Sequence, residues 1–153
     1  MSIKTVIIDD HPHAIALLSD ELKAVCVDID VVGTANSPKE GYQLIKNSNP
    51  HLVFLDIDMP EMDGFSLLAH FPNPSFKVIF VTAFDNFAIK AFKADALDYL
   101  LKPVDRDELV RAINKYRKLT IIEQSPSTDH NLSEVCRLAV PFNGSIVFLD
   151  MLD

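Results

Sequence analysis

The stretch Leu52-Val53-Phe54-Leu55-Asp56-Ile57-Asp58-Met59-Pro60-Glu61-Met62-Asp63-Gly64 sets four consecutive apolar residues directly against a carboxylate and then an acid-rich, proline-containing loop. A strand with one wet face alternates apolar and polar residues, whereas an unbroken apolar run is what a parallel strand covered on both faces requires. Val6-Ile7-Ile8 and Val78-Ile79-Phe80-Val81 have the same character, and they run into Asp9 and Thr82. Working outward from these three, strands are predicted at residues 5–8, 30–35, 52–55, 78–81 and 98–101. Helix-period segments lie between and after them at residues 13–25, 38–46, 64–71, 86–93 and 106–118. Ser37, Pro38 and Glu40 supply an N-cap, a proline at the first helical position and an acid in the first turn. Five strand–helix repeats imply an α/β fold with a parallel sheet and right-handed crossovers.

The chain has 153 residues, 48% of them hydrophobic, enough for one ordinary domain and a short remainder and too apolar for a disordered chain. Its 14 Lys and Arg against 22 Asp and Glu leave a net charge of −8, which argues against a grip on nucleic acid through bulk charge. Cys26 and Cys136 stand far apart, so neither a disulfide framework nor a cysteine zinc site is expected. The first residues lead straight into a strand pattern, and no run approaches the roughly 18 apolar residues of a membrane span. A cytoplasmic location without membrane contact is the expectation.

Asp9 and Asp10 follow the first strand, where adjacent carboxylates repel unless solvated or neutralised by a cation. An acidic helix N-terminus is the plainer explanation of that pair taken alone. Asp56, however, also ends a strand. If the first and third strands are neighbours, the three carboxylates meet outside the carboxyl edge of the sheet, where open α/β sheets bind ligands. Three hard oxygen donors suit Mg²⁺, which keeps waters that a phosphate oxygen can replace. Thr82 ends the fourth strand and Lys102-Pro103 follows the fifth, adding a hydroxyl and an ammonium to the same edge. Singly, these are a strand-end hydroxyl and a surface charge; together the strand ends describe a site for a phosphoryl group on a carboxylate.

The order Asp9-Asp10, Asp56 with Asp58-Met59-Pro60 and Asp63-Gly64, Thr82-Ala83, then Asp98-Tyr99-Leu100-Leu101-Lys102-Pro103 resembles the receiver domain of two-component response regulators. The resemblance implies a flavodoxin-like (βα)5 fold with strand order 2-1-3-4-5. It implies Asp56 as phosphoacceptor, Asp10 as a direct Mg²⁺ ligand, Asp9 as a ligand through water and the backbone carbonyl of Asp58 as a further ligand. Thr82 and Tyr99 match the family's switch pair and Lys102 its phosphate-binding lysine, with Pro103 expected in a cis peptide bond. Asp58 and Phe84 match the two positions that flank the approach of hydrolytic water. A histidine kinase would be the phosphoryl donor, a homodimer would form on phosphorylation, and the chain would catalyse only its own modification.

After the last predicted helix the composition changes, which divides the chain into a receiver (1–118), a linker (119–135) and a partial second domain (136–153). Residues 124–131 are polar and contain a proline, whereas residues 137–142 and 145–149 form strand patterns joined by Asn143-Gly144, a strong hairpin signal. Residues 137–153 are similar to the opening of a LytTR DNA-binding domain, and the phrase from Thr82 to Phe92 is similar to receivers of LytTR regulators. DNA contact is then expected only through a C-terminal domain of which this tail is the start.

Two rival functions fit part of the pattern. Asp56-Ile57-Asp58 after a strand also matches the nucleophile motif of haloacid-dehalogenase-type phosphatases, although in that class the paired metal acids come late in the chain. A phosphorylation-independent interaction module is the other, disfavoured by the complete set of acids, threonine and lysine. His11 and His13 flank Pro12 and could bind a transition metal as a pair; with no third imidazole nearby, they are read as lining the crevice. Phe84, Phe87 and Phe92 are read as helix packing or partner contacts, and Arg106, Arg111, Lys115, Arg117 and Lys118 as a solvated helix face.

Overall fold

The computed structural model describes residues 2–123; the tail with the predicted linker at 124–131 and the hairpin at Asn143-Gly144 lies outside them. The elements run β1 (Ile3–Ile8), α1 (Pro12–Val25), β2 (Ile29–Ala35), α2 (Pro38–Ser48), β3 (Leu52–Leu55), α3 (Gly64–Leu68), β4 (Lys77–Thr82), α4 (Ala88–Lys93), β5 (Asp98–Leu101) and α5 (Arg106–Glu123). The five strands form one parallel sheet in the order β2-β1-β3-β4-β5. This is the flavodoxin-like order, with its switch point between β1 and β3. The sheet and its helices as far as Lys115 form one compact unit.

The three apolar runs are the three central strands, and their period-2 alternation splits the core in two. Val6, Ile8, Val53, Leu55, Val78 and Phe80 turn to one face, packed with Ile45 of α2, Leu67 of α3 and Ala91 of α4. Ile7, Phe54 and Ile79, all essentially fully buried, point to the opposite face. Leu18 and Leu22 of α1 and Leu109, Ala112 and Ile113 of α5 are the buried helix residues left to cover it. Arg106 of α5 clasps Glu21 of α1 at 2.8 Å, consistent with the two helices lying side by side. β2 is an edge strand with one extra residue, since Thr5 pairs with Val31 but Val6 with Gly33.

Four helix ends differ from expectation by two residues or more, each for a local reason. Ser37 caps α2 by accepting from the Glu40 N–H at 3.1 Å, and the helix runs on to Ser48 before Asn49 ends it at φ 49°. α3 stops at Leu68 instead of residue 71 because Phe71 precedes Pro72, which disfavours helical backbone. Phe71 packs instead against the rings of Tyr42 and Phe76, at 5.3 and 5.4 Å. α4 starts at Ala88, two residues late, because Phe87 is its N-cap and its ring lies 6.2 Å from Phe65 at the core's edge. α5 continues five residues past Lys118, through a segment with neither glycine nor proline to stop it.

Candidate functional site

Register alone brings the first two acids together. Ile8 and Leu55 are paired across β1 and β3, so the residues one step further, Asp9 and Asp56, leave the sheet side by side. The backbone fixes both: the Asp56 N–H donates to the Ile8 carbonyl at 2.9 Å and the Asp9 N–H to that of Ala35 at 3.1 Å. On the other flank, Thr82 ends β4 and its carbonyl accepts from the Lys102 N–H at 2.8 Å. All four strand-end groups singled out in the sequence therefore share one edge. The Lys102–Pro103 peptide bond is cis.

Asp9 and Asp56 are buried, at 5% and 4% exposure, and Thr82 is wholly buried. Lys102 Nζ lies 2.6 Å from Asp9 Oδ2 and 3.4 Å from Asp56 Oδ2, so its shorter contact is with Asp9. Burial raises the Asp56 carboxyl above the usual carboxylate range and the Asp9 charge adds to this, against Lys102 and the Thr82 hydroxyl, which favour ionisation. Burial works against the Lys102 ammonium, but its hydrogen bond to Asp9 and the charges of Asp56 and Asp9 prevail and raise it above its usual value.

Asp9, Asp10, His11 and Asp56 each offer a ligand atom, and these atoms lie within 4.8 Å of one another. At an effective dielectric of about 20, a carboxylate pair at that separation repels by roughly 3 kcal/mol. Three carboxylates against one ammonium leave two negative charges, and Oδ1 of Asp56 and of Asp10 are buried with no hydrogen-bond partner. A group of hard oxygens with an uncompensated double charge and two orphaned buried acceptors fits a divalent cation. Asp58 is exposed and its carboxylate stands outside the group.

The loop after Asp56 turns tightly back against the end of β3. Asp63 caps α3, its Oδ1 accepting from the Ser66 N–H at 2.8 Å. Gly64 lies so close to β3 that a Cβ there would meet the Asp56 carbonyl oxygen at 2.5 Å. On the far side, the Phe84 peptide joins the two residues of the predicted switch pair. Its N–H donates to Thr82 Oγ1 at 3.4 Å, and its carbonyl accepts from the Tyr99 hydroxyl. Burial pushes the Tyr99 hydroxyl above its ordinary pKa. Of the three phenylalanines read as packing or partner contacts, Phe87 meets the core while Phe84 and Phe92 are exposed at 43% and 80%.

Two features of the site go beyond the expectation that both histidines line the crevice. His11 joins the acids and His13 does not, a distinction that two histidines flanking one proline do not reveal. The Phe84 link runs through main-chain atoms, which carry no residue signal.

Comparison with known proteins agrees with this architecture. Residues 5–114 match the response regulator receiver domain family. A response regulatory protein of Shewanella oneidensis is 44% identical over 117 residues, 76% of this chain and 49% of its own length. The sensory transduction protein LytT of Bacillus cereus is 32% identical over 99% of this chain and 63% of its own length. The transcriptional regulatory protein BtsR of Escherichia coli K12 is 38% identical over 76% of this chain and 48% of its own. The chain thus spans about half to under two thirds of these relatives. Among solved structures, the receiver domain of AraT, a response regulator from Geobacillus stearothermophilus, superposes with a TM-score of 0.73 at 27% identity, covering 81% of this chain and 99% of that one. The receiver domain of NarL from Mycobacterium tuberculosis gives 0.66 at 29% identity, covering 73% and 93%. Among the described residues no helix is long and apolar enough to cross a membrane. With the sheet order, the carboxyl-edge site and these matches in agreement, the chain belongs to the response regulator receiver domain family, with relatives among LytT-type regulators.

Proposed function

We propose that this domain is a phosphorylation-driven switch acting in the cytoplasm, with Asp56 as its phosphoacceptor. The observation that carries the reading is the state of Asp56: a buried carboxylate with one oxygen orphaned beside two further acids and the other facing Lys102. A carboxylate kept at such electrostatic cost belongs to a site that is complete only with a cation and a phosphoryl group. An oxygen of Asp56 attacks the phosphorus of a histidine kinase's phosphohistidine, the P–N bond breaks, and the released imidazole nitrogen takes a proton. Asp9, Asp10, Asp56 and the backbone carbonyl of Asp58 would hold Mg²⁺, which when bound supplies positive charge to the phosphoryl oxygens. Lys102 supplies charge from the opposite side. The domain turns over no other substrate, and receiver family membership leaves the haloacid-dehalogenase reading without support.

A phosphoryl group on Asp56 would offer the buried Thr82 hydroxyl a strong acceptor. Thr82 moving towards it would disturb the Phe84 peptide and, through the carbonyl of Phe84, Tyr99. Ile89, Phe92 and Leu101, exposed at 74%, 80% and 41%, lie on α4 and β5 beyond that relay and supply apolar surface for a homodimer. Transcriptional output and DNA contact belong to a C-terminal domain; one relative, BtsR, is named a transcriptional regulatory protein. The test is incubation with acetyl phosphate followed by a phosphate-affinity gel and size-exclusion chromatography. A retarded band that needs Mg²⁺ and vanishes in EDTA is expected, together with a larger elution size. Equal labelling in EDTA, or none in either condition, would contradict the proposal.

A further inference from the structure

The imidazole of His11 has no part in the proposed phosphotransfer, yet its ring nitrogen stands among the acids. Nδ1 lies 3.1 Å from Asp10 Oδ1 and 3.4 Å from Asp9 Oδ1. The closer approach lacks hydrogen-bond geometry, since Asp10 Oδ1 has no hydrogen-bond partner. Two donor atoms each about 2.1 Å from one cation and at right angles to each other stand about 3 Å apart, so the spacing is that of co-ligands. A second observation points to the same ligand: Asp56, a member of the same group, has a side chain only 4% exposed whose Oδ1 is unpartnered.

The backbone holds His11 in this position. Its N–H donates to Asp9 Oδ1 at 2.9 Å, and it is the N-cap of α1, with Pro12 locking the next residue into the helix. An N-cap side chain ordinarily turns to the helix N–H groups, but this ring makes no capping hydrogen bond. It is 68% exposed and so reaches the site from its solvent side.

We propose that His11 contributes an imidazole nitrogen to the carboxylate site, extending its cation range from Mg²⁺ to nitrogen-accepting first-row ions such as Co²⁺ and Zn²⁺. The inference rests on the reading of the acids as a divalent-cation site. Carboxylates alone favour Mg²⁺ and Mn²⁺, whereas an added imidazole selects for cobalt, nickel and zinc. His13 is outside the group and takes no part.

Titration calorimetry with Co²⁺ and with Mg²⁺, on wild type, His11→Ala, His13→Ala and Asp10→Asn, tests this, with the visible absorption of bound Co²⁺ as a second readout. His11→Ala is expected to weaken Co²⁺ binding about tenfold and change its absorption while leaving Mg²⁺ affinity unaltered. His13→Ala should behave as wild type, and Asp10→Asn should weaken both metals. Co²⁺ affinity that is unchanged or tighter in His11→Ala would overturn the proposal, showing the ring to be a bystander or a competing cation. Equal weakening of both metals would also overturn it, marking His11 as structural. Wild type that binds Co²⁺ in a His11-dependent way but no Mg²⁺ would refute the Mg²⁺ reading and leave the imidazole ligand standing.

Discussion

Replacing Gly64 by alanine is the sharpest test of how closely the loop after β3 packs against the proposed phosphoacceptor. The new Cβ would lie 2.5 Å from the carbonyl oxygen of Asp56. Ordinary C···O contacts fall near 3.3 to 3.6 Å, so the two atoms must part by about 0.8 Å or more. Neither side yields easily: the Asp56 N–H is bonded to Ile8 in the central sheet, and the Gly64 N–H to the Ile57 carbonyl at 2.9 Å. Overpacking of this kind costs about 1–3 kcal/mol, and backbone on both sides puts the expected loss in the upper half of that range. For a domain of this size, that lowers the unfolding midpoint by about 10 °C. Gly33→Ala is the control, because the atom its Cβ meets at 2.6 Å is Leu44 Cδ1, the tip of a side chain that can rotate away. Thermal and urea unfolding followed by circular dichroism, with the initial rate of acetyl phosphate labelling, read both effects. Gly64→Ala should be destabilised and slow to label while Gly33→Ala loses less than about 1 kcal/mol. An unchanged midpoint in Gly64→Ala, or an equal loss in Gly33→Ala, would show that the Gly64 contact does not constrain the loop.

Lys102→Met should destabilise the protein in EDTA by about 1–3 kcal/mol, because it strips the compensating charge from two buried carboxylates, and Mg²⁺ should restore much of that loss in the same unfolding experiment. Thr82→Ala should still label on Asp56 but fail to shift to a larger elution size, since the residue that would link the phosphoryl group to the Phe84 peptide and Tyr99 is gone; normal phosphorylation-dependent association would remove Thr82 from the switch. Phe84→Asn should lose its phosphoryl group several-fold faster than wild type in a gel time course, because an amide can orient the hydrolytic water that a phenyl ring does not; an unchanged half-life would count against that role.

What was readable in the chain followed from what side-chain chemistry and periodicity can express. Three apolar runs ending in Asp9, Asp56 and Thr82 announce central parallel strands and a shared carboxyl edge, because burial on both faces leaves no alternation and the edge is where polar groups return. Strand order is a tertiary property that spacing does not encode, and it entered through the resemblance. The early end of α3 was visible in Phe71-Pro72 but outweighed by helical periodicity. The place of His11 depends on which way an N-cap side chain turns, and the Phe84 relay on backbone atoms, so neither leaves a mark in residue type.

Intact-mass spectrometry decides whether Asp56 alone takes up the phosphoryl group. Wild type and Asp56→Asn are incubated with Mg²⁺ and acetyl phosphate, with wild type in EDTA as a third arm. Wild type in Mg²⁺ should gain the mass of one phosphoryl group, and the other two arms should gain none. The same mass gain in Asp56→Asn, or undiminished labelling of wild type in EDTA, would contradict that assignment.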